Sequence, residues 1–129
     1  MASDNEHCGD RGRECTITVS NPVLHGMYPD PSWIWDTTRE EIVLVNSSFE
    51  LVPGLPIHTT RDLVTWTRTA NAVDEAMSHR LLIDGVEDSG GLYAPTIRRI
   101  GGRYVIVCTV ARVDEVKALA AGCSQKDID

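Results

Sequence analysis

Short apolar runs, each closed within a few residues by Pro, Gly or an Asp-Thr turn, restrict this chain more than any other feature. From Ile17 onward the texture is that of antiparallel β structure. Trp33-Ile34-Trp35 is one predicted strand, broken by Asp36-Thr37-Thr38-Arg39, and Ile42-Val43-Leu44-Val45 is the next. Pro53-Gly54-Leu55-Pro56 predicts a loop, because proline fixes φ and removes a backbone donor. Ile57 to Thr60 and Val64 to Thr69 follow as two more strands around Arg61-Asp62. Four short strands with tight connections make one meandering sheet. After a polar stretch from Asn71 to Gly91, in which Met77 to Ile83 forms a short helix or an irregular loop, two further runs appear. Ala94 to Arg99 and Arg103 to Val110 flank Gly101-Gly102, and a Gly-Gly pair between β runs predicts a two-residue hairpin.

The two sets echo one another. Pro31-Ser32-Trp33-Ile34 opens the first, and Pro95-Thr96-Ile97-Arg98 stands 64 residues later at the start of the second. One four-stranded unit per repeat points to a β-propeller, whose sheets bury their faces by stacking on neighbours. Size then becomes the constraint. Propeller blades take roughly 40–50 residues and closure needs four or more, whereas this chain has 129 residues. The expected architecture is all-β: a first blade, part of a second, and no closed ring. Residues 1–19 read as a flexible leader, 20–110 as the partial propeller domain and 111–129 as a divergent tail. In that tail Val113, Val116 and Leu119-Ala120 fall at helical spacing before Gly122.

Charge narrows the partners. Lys and Arg number 12 against 19 Asp and Glu, a net charge of −7. A nucleic-acid or anionic-membrane surface would need clustered cations, and no apolar run approaches the ~20 residues of a membrane helix. The polar start MASDNEHCGDRGREC has no hydrophobic stretch behind it, so a cytoplasmic location is expected. Cys8, Cys15, Cys108 and Cys123 form no CxxC pair and read as reduced thiols, with Cys108 in a run that would bury it. His7 with Cys8 and Cys15 fits no common zinc spacing, and neither a metal nor a cofactor is expected. Asn46-Ser47-Ser48 matches a glycosylation sequon, of little meaning without a secretory route.

The stretch Asn21-Pro-Val-Leu-His-Gly-Met-Tyr-Pro-Asp-Pro-Ser32 carries the most chemistry. Asp30 lies between Pro29 and Pro31, so the backbone on both sides is expected to be stiff and extended. A carboxylate on such a mount loses little entropy when it must hold a water in place. Local sequence alone favours the plainer reading, an Asp in ordinary turn chemistry.

NPVLHGMYPDPSWIWD, VNSSFELVPGLPIHTTRDLVTWTR and SGGLYAPTIRRIGGRYVIVCT, in that order, resemble the N-terminal part of glycoside hydrolase family 43. The likeness is greatest to its β-xylosidase/α-L-arabinofuranosidase members and runs from about Ser20 to Val110. The resemblance implies a five-bladed β-propeller with a central active site and single-displacement, inverting hydrolysis of xylo- or arabino-oligosaccharides. It maps the family's general base, the Asp of Pro-Asp-Pro-Ser, onto Asp30. The general acid and a second, orienting aspartate would lie in later blades; Asp129 in Ile128-Asp129 comes too early for that aspartate.

Other assignments follow the resemblance. Phe49 in Ser-Ser-Phe-Glu matches an aromatic that walls the sugar subsite, although the chain's only Phe reads equally as a core residue. Tyr93 stands where many members carry Trp, and its ring would stack on a sugar face. Trp66 reads as blade packing, His25 and His58 as structural histidines, and Glu87 and Asp88 as solvated loop charges. With one catalytic carboxylate the fragment is expected to be inactive by itself. The alternative is a non-catalytic module that binds glycan or protein. Open sheet edges favour self-association under either reading.

Overall fold

The computed structural model describes residues 16–81 and 90–111. Most of the predicted leader, the loop charges Glu87 and Asp88, the cysteines other than Cys108, the predicted helix after Val113 and Asp129 lie outside these residues. The described residues form six strands and one helix: β1 (Ser32–Asp36), β2 (Glu41–Val45), β3 (Gly54–Thr60), β4 (Thr67–Val73), α1 (Glu75–Leu81), β5 (Gly91–Ile100) and β6 (Arg103–Ala111).

The first four strands form an antiparallel sheet in sequential order, and β5 and β6 form a second, two-stranded sheet. Trp33 faces Leu44 across the first pair, and Val45 faces Ile57 across the second. The expected meander and the Gly-Gly hairpin are both present. Gly101 and Gly102 adopt φ of 55° and 77°, the left-handed region that a two-residue turn between twisted strands requires.

Two strand assignments need correction. Pro53 to Pro56 is not all loop, because β3 begins at Gly54 and includes Pro56. The proline's fixed φ suits an extended strand, and its carbonyl still accepts a hydrogen bond from the Asn46 amide at 3.3 Å. Val64 to Trp66 are not strand. Asp62 Oδ1 accepts the amides of Val64 at 2.9 Å and Thr65 at 2.7 Å, while Thr60 Oγ1 accepts the Leu63 amide at 2.9 Å. Side chains have taken the donors a ladder would use. Pairing starts at Thr67 and continues to Val73, inside the stretch read as polar loop. The predicted short helix is α1, whose Asp74 side chain accepts the Met77 amide at 2.7 Å as an N-cap.

The core lies between the sheets. Val43, Val45 and Leu55 from the first meet Leu92 and Ile97 from the second, with Val73 closing one end. Cys108 packs half-buried beside them, and burial pushes its thiol pKa up. Trp33 and Trp35 alternate outward on β1 and are exposed, as are Ile100, Val105 and Val107 on the second sheet.

A polar clamp fastens the sheets at the other end. Asp36 is 1% exposed, accepts Arg99 Nη1 at 2.5 Å, and accepts the Tyr104 hydroxyl as well. It also caps its own turn through the Thr38 amide at 2.8 Å. The Tyr104 hydrogen bond, then the Thr38 and Arg39 amides and the Arg99 charge, outweigh burial and hold the Asp36 carboxyl below its usual value. Among the described residues no helix is long and apolar enough to cross a membrane.

Candidate active site

Asp30 sits at the end of the loop leading into β1, and its backbone departs from expectation. Its φ is 50°, so the residue is left-handed rather than extended. Aspartate is among the few residue types that tolerate this region, and the inversion sends the chain sharply from Pro29 into Pro31. The side chain is exposed at the turn.

The loop is held by the residues just after β2. Asn46, 1% exposed, donates through Nδ2 to the carbonyls of Tyr28 at 2.7 Å and Pro29 at 3.2 Å. The Ser47 amide donates to the Pro29 carbonyl at 3.0 Å. The Ser47 hydroxyl reaches Asp30 Oδ2 at 2.6 Å and also accepts the Ala94 amide at 2.7 Å. Asn46 is thus committed internally, and its buried amide nitrogen is no acceptor for a glycan. Sequence reading missed both roles, since Asn46-Ser47-Ser48 registers only as a sequon; three polar residues directly after a β-branched strand were the available signal.

Phe49, in the connection between β2 and β3, and Tyr93, on β5, come together. Phe49 forms an isolated antiparallel bridge with Leu92, its amide donating to the Leu92 carbonyl at 3.0 Å and its carbonyl accepting the Leu92 amide at 2.9 Å. The rings of Phe49 and Tyr93 then lie 4.5 Å apart at an interplanar angle of 34°. Phe49 is half-buried and outside the apolar core cluster. The register between β5 and β6 shifts between Tyr93 and Thr96, and this bulge leaves the Ala94 amide free of the ladder to meet Ser47. One hydrogen-bonded path therefore ties the Asp30 turn, the segment carrying Phe49 and the segment carrying Tyr93.

The remaining residues fall outside this group. His25 is exposed and lines a surface groove with Trp66, whose Nε1 donates to the Leu63 carbonyl at 3.1 Å. His58 lies beneath the loop, 3% exposed, with its ring edge-on to Tyr28 at 4.6 Å. Its Nδ1 has no hydrogen-bond partner among the described residues. Burial, reinforced by the Arg68 charge, pushes its pKa below the usual 6.5. Neutral His58 therefore stabilises the fold above that value, and the contribution is lost as pH falls through the native pKa. We predict that the unfolding midpoint drops between pH 7.5 and pH 5. In His58→Phe, which keeps the aromatic edge, the drop should be smaller with little change at pH 7.5; equal drops in both proteins would refute this. Among the described residues no group of three or more His, Cys, Asp or Glu is placed to hold a metal ion.

Among the described residues, antiparallel sheets with a carboxylate on a turn and a pair of neighbouring aromatic rings define the class only as a mostly β protein. Comparison with known proteins makes the class specific: the profile of glycosyl hydrolases family 43 matches residues 19–125. The chain belongs to that family. It is 38% identical over 93 residues to a non-reducing end α-L-arabinofuranosidase of Bacteroides ovatus, covering 71% of this chain and 17% of the relative. It is 34% identical to a β-xylosidase of Bacillus subtilis, covering 75% and 17% respectively. A crystal structure of a family 43 protein from Bacillus licheniformis superimposes with a TM-score of 0.65 at 34% identity, over 72% of this chain and 17% of that one. The chain thus spans about one sixth of the length of the relatives it matches.

Proposed function

We propose that this chain is the general-base portion of an inverting glycosidase that hydrolyses O-glycosyl bonds in xylo- or arabino-oligosaccharides. The carrying observation is the Asp30 carboxylate, exposed at its turn yet tied through Ser47 to the segments that bring Phe49 and Tyr93 together. In this reading residues 20–110 are the first blade and part of the second of a five-bladed propeller. Asp30 takes a proton from water as that water attacks the anomeric carbon, while Phe49 and Tyr93 wall the sugar.

Inversion needs a second, protonated carboxyl across the scissile bond, roughly 6.5–9.5 Å from the first. The turn carries one carboxylate, so the 129 residues alone bind sugar without cleaving it. Chains meet through the open edge of β6, where no third strand pairs among the described residues.

The test combines hydrolysis and binding. The purified chain is expected to leave aryl β-xyloside and aryl α-arabinofuranoside intact, as is Asp30→Asn. Titration with xylobiose should shift the ring signals of Phe49 and Tyr93. Turnover that disappears in Asp30→Asn would overturn the inactivity, and ring signals unmoved at saturating sugar would overturn the site. Saturable binding unaffected by Asp30→Ala, with turnover absent, would favour a glycan-binding module instead.

A further inference from the structure

Ser47 is fully buried, and its single hydroxyl has two neighbours of opposite kind. The Ala94 amide, 2.7 Å away, can only donate, so Oγ accepts there. Asp30 Oδ2, 2.6 Å away, is acceptor-only when ionised, so the serine proton must point to it. A hydroxyl rotor that ordinarily chooses among several partners is left with one arrangement. Asp30 Oδ1 accepts no hydrogen bond among the described residues. One carboxylate oxygen is tied down and the other is left unpartnered on an exposed residue.

We propose that Ser47 is a positioning residue for Asp30, holding Oδ2 so that Oδ1 faces the attacking water. This rests on the reading of Asp30 as general base. The loop itself does not need the hydroxyl, because the Ser47 amide and Asn46 Nδ2 already fix the path of Tyr28 and Pro29. The hydroxyl acts on the carboxylate alone. Its orientation is set from the second sheet, since the Ala94 amide belongs to β5 and is released from the ladder by the bulge. The loop entering β1 therefore supplies the base, and docking of the β5–β6 hairpin aims it. A hydrogen bond to an ionised acceptor is among the stronger kinds, and each bond in such a chain polarises the next.

Nuclear magnetic resonance of the isotope-labelled 129-residue chain tests this without turnover. Three-bond couplings should report one χ1 rotamer for Asp30 in the wild type and averaged rotamers in Ser47→Ala. The Ala94 amide should exchange roughly tenfold faster in that variant, the equivalent of one lost hydrogen bond. Amide signals of β2 and β3 should stay in place, which separates loss of positioning from loss of fold. Asp30→Ala provides a second measurement at an exposed residue: removing the carboxylate should move the Ala94 amide proton upfield. Fixed Asp30 couplings in a folded Ser47→Ala protein would overturn the proposal. If Ser47→Ala does not fold, an Ala94 signal indifferent to Asp30→Ala would overturn it alone. Neither readout requires Asp30 to be a base, so failure of the catalytic reading would be seen separately, as sugar binding independent of Asp30.

Discussion

Leu92→Ala should lower the stability of this protein by about 3 kcal/mol, within the 2–5 kcal/mol typical of emptying a packed leucine site. Leu92 is wholly buried, and its side chain belongs to the cluster where the two sheets meet. Its surroundings cannot close over the gap easily. On one side the Leu92 amide and carbonyl are bonded to Phe49, and on another its Cδ1 comes within 2.5 Å of where a Cβ on Gly54 would stand. Among the described residues only a handful of apolar side chains are buried in this core, so one leucine is a large share of it. For a domain of this size the unfolding midpoint should fall by roughly 10–20 °C. Val107→Ala is the control, because Val107 is 67% exposed and its truncation should cost no more than about 0.5 kcal/mol. Similar losses in both variants would mean that the hairpin does not dock through Leu92.

The strands were legible wherever β-branched residues stood between strong turn signals, as in Ile42 to Val45 or Arg103 to Val110. They were misread where side chains compete with the ladder. Nothing in Val64-Thr65-Trp66 announces that Asp62 and Thr60 will capture the backbone donors, because that competition depends on how the chain folds back after β3. The clamp was hidden for a similar reason. Asp36 has the local signature of a turn residue and does cap its turn, but its buried position follows from Arg99 and Tyr104 arriving from another sheet.

The candidate site divides in the same way. Asp30 stood out through its two flanking prolines, although their stiffness suggested an extended backbone rather than the left-handed one observed. Phe49 and Tyr93 were singled out by family resemblance and not by spacing. That they face one another, and that Ser47 joins both segments to Asp30, depends on contacts across more than forty residues of chain. Local propensity carries no record of such contacts.

Gly91→Ala should disrupt that junction more severely than any other single added methyl group. Gly91 has φ of 100°, and a Cβ there would stand 1.9 Å from the Phe49 carbonyl oxygen and 2.2 Å from its carbonyl carbon. Both are backbone atoms, so no rotamer change relieves the overlap and the Phe49–Leu92 bridge must open. The left-handed backbone alone costs about 1–3 kcal/mol for a non-glycine residue, before the displacement is counted. As the bridge parts, the contact between the Phe49 and Tyr93 rings goes with it. The ring signals of both should move in the variant even without sugar, and any xylobiose response should be lost. Gly102→Ala separates the two causes. Gly102 also has positive φ, at 77°, but a Cβ there meets nothing within 4 Å. Its substitution carries the conformational cost without the collision, so stability should fall modestly while the ring signals stay in place. If Gly91→Ala left the rings undisturbed, the close approach of β5 to Phe49 would not be what brings the two rings together.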